Sequence, residues 1–269
     1  MTPLLTIITV TYNAAGIVEE TIRSVLNQSF KDYEYLVIDG GSKDGTQEIV
    51  KKYSDKIKLI SEKDYGIYDA MNKGIANSTG DWLYFLNAGD TLYSNDVFEK
   101  IFERTVAPDI ELIYGNVKTK NHPSGSDYTI GKEISLANFY YKVGLCHQGA
   151  FSHRKAFAAI GNYNYFDYPI LADQEWFVRF FKEGKKSLYK NLIIANYETV
   201  GESYLLRMQS YNEHLKMASV HFSSWVIFQN RIRAPFMKIK IKLIQKFSGS
   251  SIYKLYRRKF FRDSNPALG

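Results

Sequence analysis

Cysteine is almost absent from this 269-residue chain; Cys146 is the only one. A disulfide framework is therefore excluded, and no CxxC metal site exists. One thiol fits a reducing compartment. Glycine and proline are sparse as well, with 18 and 6 residues, which excludes collagen-like and low-complexity architectures. Long apolar runs are missing, and none approaches the roughly 18 residues of a membrane span. Met1-Thr2-Pro3-Leu4-Leu5 enters a strand-like run at once, so no signal segment is expected. These absences point to the cytoplasm. Phosphate-binding glycine loops are lacking too. Gly40-Gly41-Ser42-Lys43-Asp44-Gly45 matches neither the dinucleotide fingerprint nor the P-loop, which argues against both enzyme classes.

What is present is apolar and aromatic. Hydrophobic residues make up 45% and aromatics 15%, a composition that folds around a core. The length suits one large domain with an appendage. The net charge of +7 is unevenly spread. From His214 to Arg262 there are 12 Lys and Arg and no acid, whereas the residues before 214 carry 23 basic and 27 acidic groups. The tail holds the whole basicity, so composition and role both change near residue 213.

The first 118 residues alternate in period. Leu5 to Val10 is a short β-branched run, a buried strand. Val18, Ile22, Val25 and Leu26 share one helical face. Further strands are expected at Tyr35 to Ile38, Ile57 to Ile60, Trp82 to Leu86 and Leu112 to Val117, with helices between them. Strand and helix in rotation argue for an α/β fold, a largely parallel sheet flanked by helices. Ligands in such sheets bind beyond the carboxyl ends of strands. That rule selects Thr11-Tyr12-Asn13, Asp39 to Asp44, Glu62 to Tyr65, and Asn87 to Asp90. An acidic collar of this kind suits a cation or the hydroxyls of a ribose or sugar.

Beyond residue 118, Asn121 to Lys132 turns polar, a hairpin or loop. A helix is expected near Leu136 to Lys142, another over Asp173 to Phe181, and a strand over Leu188 to Ile194. After Ser203 the pattern is helical, with breaks at Pro235 and at Ser248-Gly249-Ser250-Ser251. Asp39, beside two glycines, suits a base or ribose; equally, Asp39 or Ser42 caps the following helix. Asp173 stands where an N-cap would. Glu175 and Arg179 make an i, i+4 surface pair. His147, in Cys146-His147-Gln148, is structural or a ligand to metal or acceptor.

Taken together, the segments Thr6 to Ala14, Ser24 to Thr46, Ser61 to Asp90 and Leu171 to Phe180 resemble the inverting family-2 nucleotide-sugar glycosyltransferases of GT-A fold. The resemblance covers about residues 4 to 200 and implies roles position by position. Thr11, Tyr12 and Asn13 would line the base pocket, and Asp39 would hold the nucleobase. Ser42 and Asp44 would flank the nucleotide. Asp64, Asp69 and Asn72 would face the nucleotide or its sugar. Asn87 and Ala88 would touch the donor, and Asp90 would hold Mg²⁺ or Mn²⁺. Asp173 would be the catalytic base, with Glu175 the fallback and His147 and Gln148 assisting at metal or acceptor. One departure stands out: the family's acidic string is Asn87-Ala88-Gly89-Asp90 here, leaving one carboxylate.

The implied activity is transfer from a nucleotide-diphosphate sugar, UDP being the family's commonest nucleotide. The acceptor would be a saccharide or lipid-linked saccharide in cell-surface polysaccharide, lipopolysaccharide or capsule synthesis. A sugar-1-phosphate nucleotidyltransferase would need a basic Gly-rich loop after the first strand, absent here. A non-catalytic nucleotide-sugar-binding scaffold is the rival, motivated by Gly89. The expected organisation is a GT-A domain over 1–203 (halves 1–118 and 119–203) and a basic helical extension over 204–269. In that extension Phe236, Ile239, Leu243, Ile244 and Phe247 share a face with Lys238 and Lys242 opposite, while Lys240 and Ile241 spoil the pattern. Basic amphipathic helices lie on anionic lipid, which would place the protein at the inner face of the membrane. The alternative is packing on the domain or on a second subunit as a homo-oligomer. Nucleic acid is not an expected partner, because no recognition motif is present.

Overall fold

The computed structural model describes residues 2–103, 106–120, 127–141, 144–198 and 207–247. The chain divides into two compact units. One joins Met1–Lys118 with Thr129–Tyr197; the other joins Thr119–Tyr128 with the chain from Glu198 onward. The expected boundary at 203/204 lies outside the described residues.

The first unit is built on one mixed sheet. Strand β1 (Leu5–Thr11) is buried at all seven positions and lies between β2 (Tyr33–Asp39) and β4 (Trp82–Phe85). β3 (Lys58–Ser61) pairs outside β2, and these four strands are parallel. Covered on both faces, β1 needs the uninterrupted apolar and β-branched run that it has. Helices α1 (Val18–Leu26), α2 (Thr46–Lys51) and α3 (Ile67–Asn77) make the crossovers. α1 buries Val18, Ile22 and Val25 and sets Glu19 and Glu20 in its first turn, where they favour the helix dipole.

The sheet continues with a two-residue strand β5 (Thr91–Leu92), helix α4 (Val97–Phe102), β6 (Ile110–Lys120) and β7 (Thr129–Ile130). The antiparallel β6–β7 pairing fits the expected hairpin, although residues 121–126 lie outside the described set. β8 (Ala150–His153) runs antiparallel to β4, with Tyr84 opposite Phe151. The remaining elements are α5 (Arg154–Ile160), α6 (Ala172–Lys182) and β9 (Lys186–Glu198).

The aromatic surplus fills two clusters. Tyr84 stacks on Phe151 at 4.4 Å between centroids, with Phe98 and Phe102 edge-on to Phe151. Trp176 of α6 stacks on Phe157 at 4.4 Å and meets Tyr163, which anchors α6 under the sheet.

Three expectations are corrected. The helix near Leu136 to Lys142 is one 3-10 turn, Leu136–Phe139, tied by a 2.7 Å bond from Ser135 N–H to Asn138 Oδ1; Lys142 lies outside the described residues. Asp173 is not a cap. Leu171 holds that position, and Asp173 lies inside the first turn of α6. Pro235 does not interrupt its helix. In the second unit α7 (Arg207–His221) is followed by α8 (Ser224–Phe247), which runs through Pro235. The proline sits at an exposed position, where water can meet the carbonyl its missing N–H leaves.

Candidate active site

The carboxyl ends of the parallel strands meet at one corner, and their loops are laced together. Asn13 stands in the left-handed region, φ 47°, and its N–H donates to Ser42 Oγ at 2.8 Å. Its Oδ1 accepts from Lys43 N–H. Ala15 N–H donates to Asp44, whose other oxygen accepts from Thr46. These bonds hold the Asp44 carboxyl below its ordinary range, Thr46 contributing most. Asp39 is fully buried and accepts from Gly41 N–H, Ser42 N–H, the Ser42 hydroxyl and the Ser61 hydroxyl. A buried carboxylate is tolerated when so many donors meet it. Asp39 thus shapes the turn that presents Gly40.

Glycine at position 40 lets two side chains close over the backbone. A Cβ there would come within 2.5 Å of Asp64 Oδ2 and 3.2 Å of the Tyr12 ring. The result is a slot with the Tyr12 ring, 65% exposed, on one side and Asp64 on the other. Asp64 also accepts from Gly66 N–H. At the floor, Thr11 Oγ1 is buried with no partner among the described residues.

The second half of the site follows from strand direction. β8 is antiparallel to β4, so the residues entering β8 lie beside the residues leaving β4. His147 and Gln148 are thereby brought, across some 60 residues, against the Asn87–Asp90 turn. Asn87 Nδ2 lies 3.0 Å from His147 Nε2, and Gln148 Nε2 donates to Asp90 Oδ2 at 2.9 Å. With Asn87 donating to Nε2, the imidazole carries its proton on Nδ1. That nitrogen lies 3.1 Å from Asp173 Oδ2.

Asp173 is the hub. Its Oδ1 accepts from Gln174 N–H and lies 2.8 Å from the Tyr68 hydroxyl, and its Oδ2 also accepts from Gln174 Nε2. Only 5% of the residue is exposed. Gln174 in turn fixes the loop before Cys146, accepting from Gly144 N–H and donating to the Leu145 carbonyl. Burial, reinforced by the Asp173 and Asp90 carboxylates, pushes the Cys146 thiol up to about 12. Burial and Asp173 likewise raise Tyr68 well above the usual phenol range.

Gly89 accounts for the missing acid. Its φ is +99°, and a Cβ would press on Ile17 Cδ1 at 3.2 Å. Thr21 of α1 clamps the turn, accepting from Gly89 N–H and donating to the Asp90 carbonyl. Gly89→Ala, or Gly89→Asp restoring the family acid, carries a left-handed side-chain penalty. The expected melting temperature falls by roughly 2–8 °C in differential scanning fluorimetry. An unchanged value would contradict the strain.

Three further expected residues have protein partners of their own. Asn72 exchanges amide hydrogen bonds with the Tyr163 backbone at 2.9 and 3.1 Å. Asp69 accepts from Tyr65 N–H and pairs with Lys73. Glu175 is clamped by Arg179 Nε at 3.0 Å to both its oxygens; the carboxylate is buried and the guanidinium half-buried, so the pair is not a surface one. Conversely, Tyr68, Gln174 and Thr21 carry the site without having been expected. Their only signal is a polar tip on an otherwise core-facing helix position.

A divalent cation fits this corner only as a site shared with a ligand. Among the described residues no group of three or more His, Cys, Asp or Glu could hold one. Asp90 supplies one carboxylate, and Asn87 Oδ1 is a buried oxygen with no partner. Mg²⁺ and Mn²⁺ commonly take one or two protein oxygens and complete their shell with phosphates and water.

Comparison with known proteins identifies the family and the fold. The family model for glycosyl transferase family 2 matches residues 6–194. The PGL/p-HBAD biosynthesis glycosyltransferase of Mycobacterium bovis (strain BCG / Pasteur 1173P2) is 32% identical over 206 residues, 74% of this chain and 78% of that protein. TarS 1–349 of S. aureus in complex with UDP superposes with a TM-score of 0.62 at 16% identity, covering 82% of this chain and 65% of that one, just under two thirds. The mannosyltransferase PcManGT of Pyrobaculum calidifontis, in complex with GDP-Man and Mn²⁺, gives 0.63 at 14% identity, covering 98% and 89%. The fold is that of GT-A glycosyltransferases, and the chain belongs to glycosyl transferase family 2, enzymes that transfer sugars.

Proposed function

We infer that this enzyme moves one sugar from a nucleoside-diphosphate donor, a UDP-sugar, to a saccharide or lipid-linked acceptor with inversion. The product would be a cell-surface glycoconjugate, a reading that the M. bovis relative's part in PGL/p-HBAD biosynthesis supports. The observation that carries the proposal is the hydrogen-bonded chain Asn87–His147–Asp173, which ties the diphosphate end of the site to a single buried carboxylate.

The base stacks on Tyr12 over Gly40, beside Asp64, with Asp39 holding the turn beneath it. Asn87 and Asp90 would hold the cation, which neutralises charge on the leaving diphosphate when bound. Asp173 takes the acceptor hydroxyl's proton as that oxygen attacks the anomeric carbon. Tyr68 equips it for the task. The phenol lies 2.8 Å from Asp173 Oδ1 and 2.9 Å from the Ile170 carbonyl. Before transfer the phenol donates to the carboxylate. Afterwards the protonated carboxyl donates to the phenol, which turns its own hydrogen to Ile170. Both protonation states are thus fully hydrogen-bonded. His147 holds the carboxylate in place from the other side.

With Asp173 as the base and Asp90 at the cation, no carboxylate among the described residues is left in this reading to act as a nucleophile, which implies direct displacement. Proton NMR of the product of an α-linked donor should show a β-linkage from the first turnovers. An α-linked product would overturn the proposal.

A further inference from the structure

Helix α8 carries two opposed apolar faces. One holds Val226, Ile227, Asn230 and Ile241; Ile227 and Asn230 line a small cavity with Leu215, Ala218 and Ser219 of α7, and Val226, Asn230 and Ile241 are buried. The other is bare. Trp225, Phe228, Ile232, Phe236, Ile239 and Leu243 follow one another at intervals of 3, 4, 4, 3 and 4, and are 52–73% exposed. That spacing averages the helical repeat, so all six lie in one stripe along five turns. Arg231, Lys238 and Lys242 flank the stripe on one side, Arg233 and Lys240 on the other, by the same rotation. No acid occurs anywhere in α8. Ile241 and Lys240, which spoil a one-faced reading of the sequence, therefore belong to the buried face and to the basic flank.

We propose that this stripe is a membrane-docking face: α8 lies in the plane of an anionic lipid surface, its aromatic and aliphatic row among the acyl chains and its basic flanks at the headgroups. An exposed apolar row of this length marks an interaction surface. Basic flanks without a single acid select anionic headgroups as the complement. A second copy of the same helix would bring like charges together. No helix among the described residues is long and apolar enough to cross a membrane, so the helix lies flat. Docking is independent of the donor chemistry, and its test uses no nucleotide sugar.

The chain has three tryptophans, of which Trp82 and Trp176 are buried and Trp225 is 64% exposed. A blue shift of emission on adding lipid therefore reports Trp225. The full chain should shift and co-sediment with vesicles of phosphatidylcholine plus phosphatidylglycerol, and far less with phosphatidylcholine alone. Phe236→Ser should weaken vesicle partitioning by about tenfold or more, the worth of one buried aromatic. Lys238→Gln with Lys242→Gln should weaken binding to anionic vesicles and make it less sensitive to salt. Both variants replace exposed side chains, and unchanged far-UV circular dichroism verifies their fold. Trp225→Phe should abolish the shift while vesicles still pull the protein down. The proposal is overturned if neither vesicle type binds, if binding ignores lipid charge, or if the shift appears without lipid together with a dimer in sedimentation velocity.

Discussion

Asp173→Asn should lower the rate of sugar transfer by roughly 10²–10⁴-fold, the usual worth of a positioned base, while leaving donor affinity near that of the native enzyme. The geometry also sets the structural cost. Asparagine keeps one acceptor oxygen and replaces the other with a donor. With its oxygen toward His147 and Gln174 Nε2, the amide nitrogen faces Tyr68 and the Gln174 N–H. Tyr68 can accept from it and turn its hydrogen to Ile170, but the Gln174 N–H loses its partner. One unmet buried donor costs about 1–3 kcal/mol. A modest drop in melting temperature with a collapse of turnover per folded molecule is therefore the expected pattern, measured by fluorimetry beside nucleotide-release kinetics. Normal turnover per folded molecule would remove Asp173 from the chemistry.

Asp90→Asn should cost roughly 10²–10³-fold in transfer and blunt the response to Mn²⁺. The substitution preserves shape, and an amide oxygen still accepts from Gln148 Nε2. Only the negative charge beside the diphosphate disappears. Turnover titrated with Mn²⁺ should need more cation in the variant and reach a lower plateau. A native plateau in excess chelator would show that the leaving group departs without a cation, and Asp90 would then be a turn residue alone.

Much of this site was legible in the sequence because strand ends are local. The apolar run of β1 and the polar residues after it announce a loop at the carboxyl edge, and the same holds for β2 and β4. Gly89 was legible as a departure but not as a cause, since its left-handed φ and the Thr21 clamp come from packing of α1 against the turn. Asp173 illustrates the limit of local reading. A polar residue before an apolar helix looks like a cap, yet its partners Tyr68 and His147 lie 105 and 26 residues away. Nothing in a periodic pattern encodes which phenol tip will reach a distant helix. His147 met Asn87 because β8 turned antiparallel, a choice that a four-residue strand does not declare. In α8 the apolar residues were visible, but two opposed faces cancel in a search for one, and only burial separates them.

The division of labour between the two carboxylates is the centre of this account. Calorimetric titration of a UDP-sugar with Mn²⁺ into Asp173→Asn and Asp90→Asn tests it in one measurement. The account predicts near-native affinity for the first and weakened affinity for the second. Equal loss in both, or loss confined to Asp173→Asn, would contradict it.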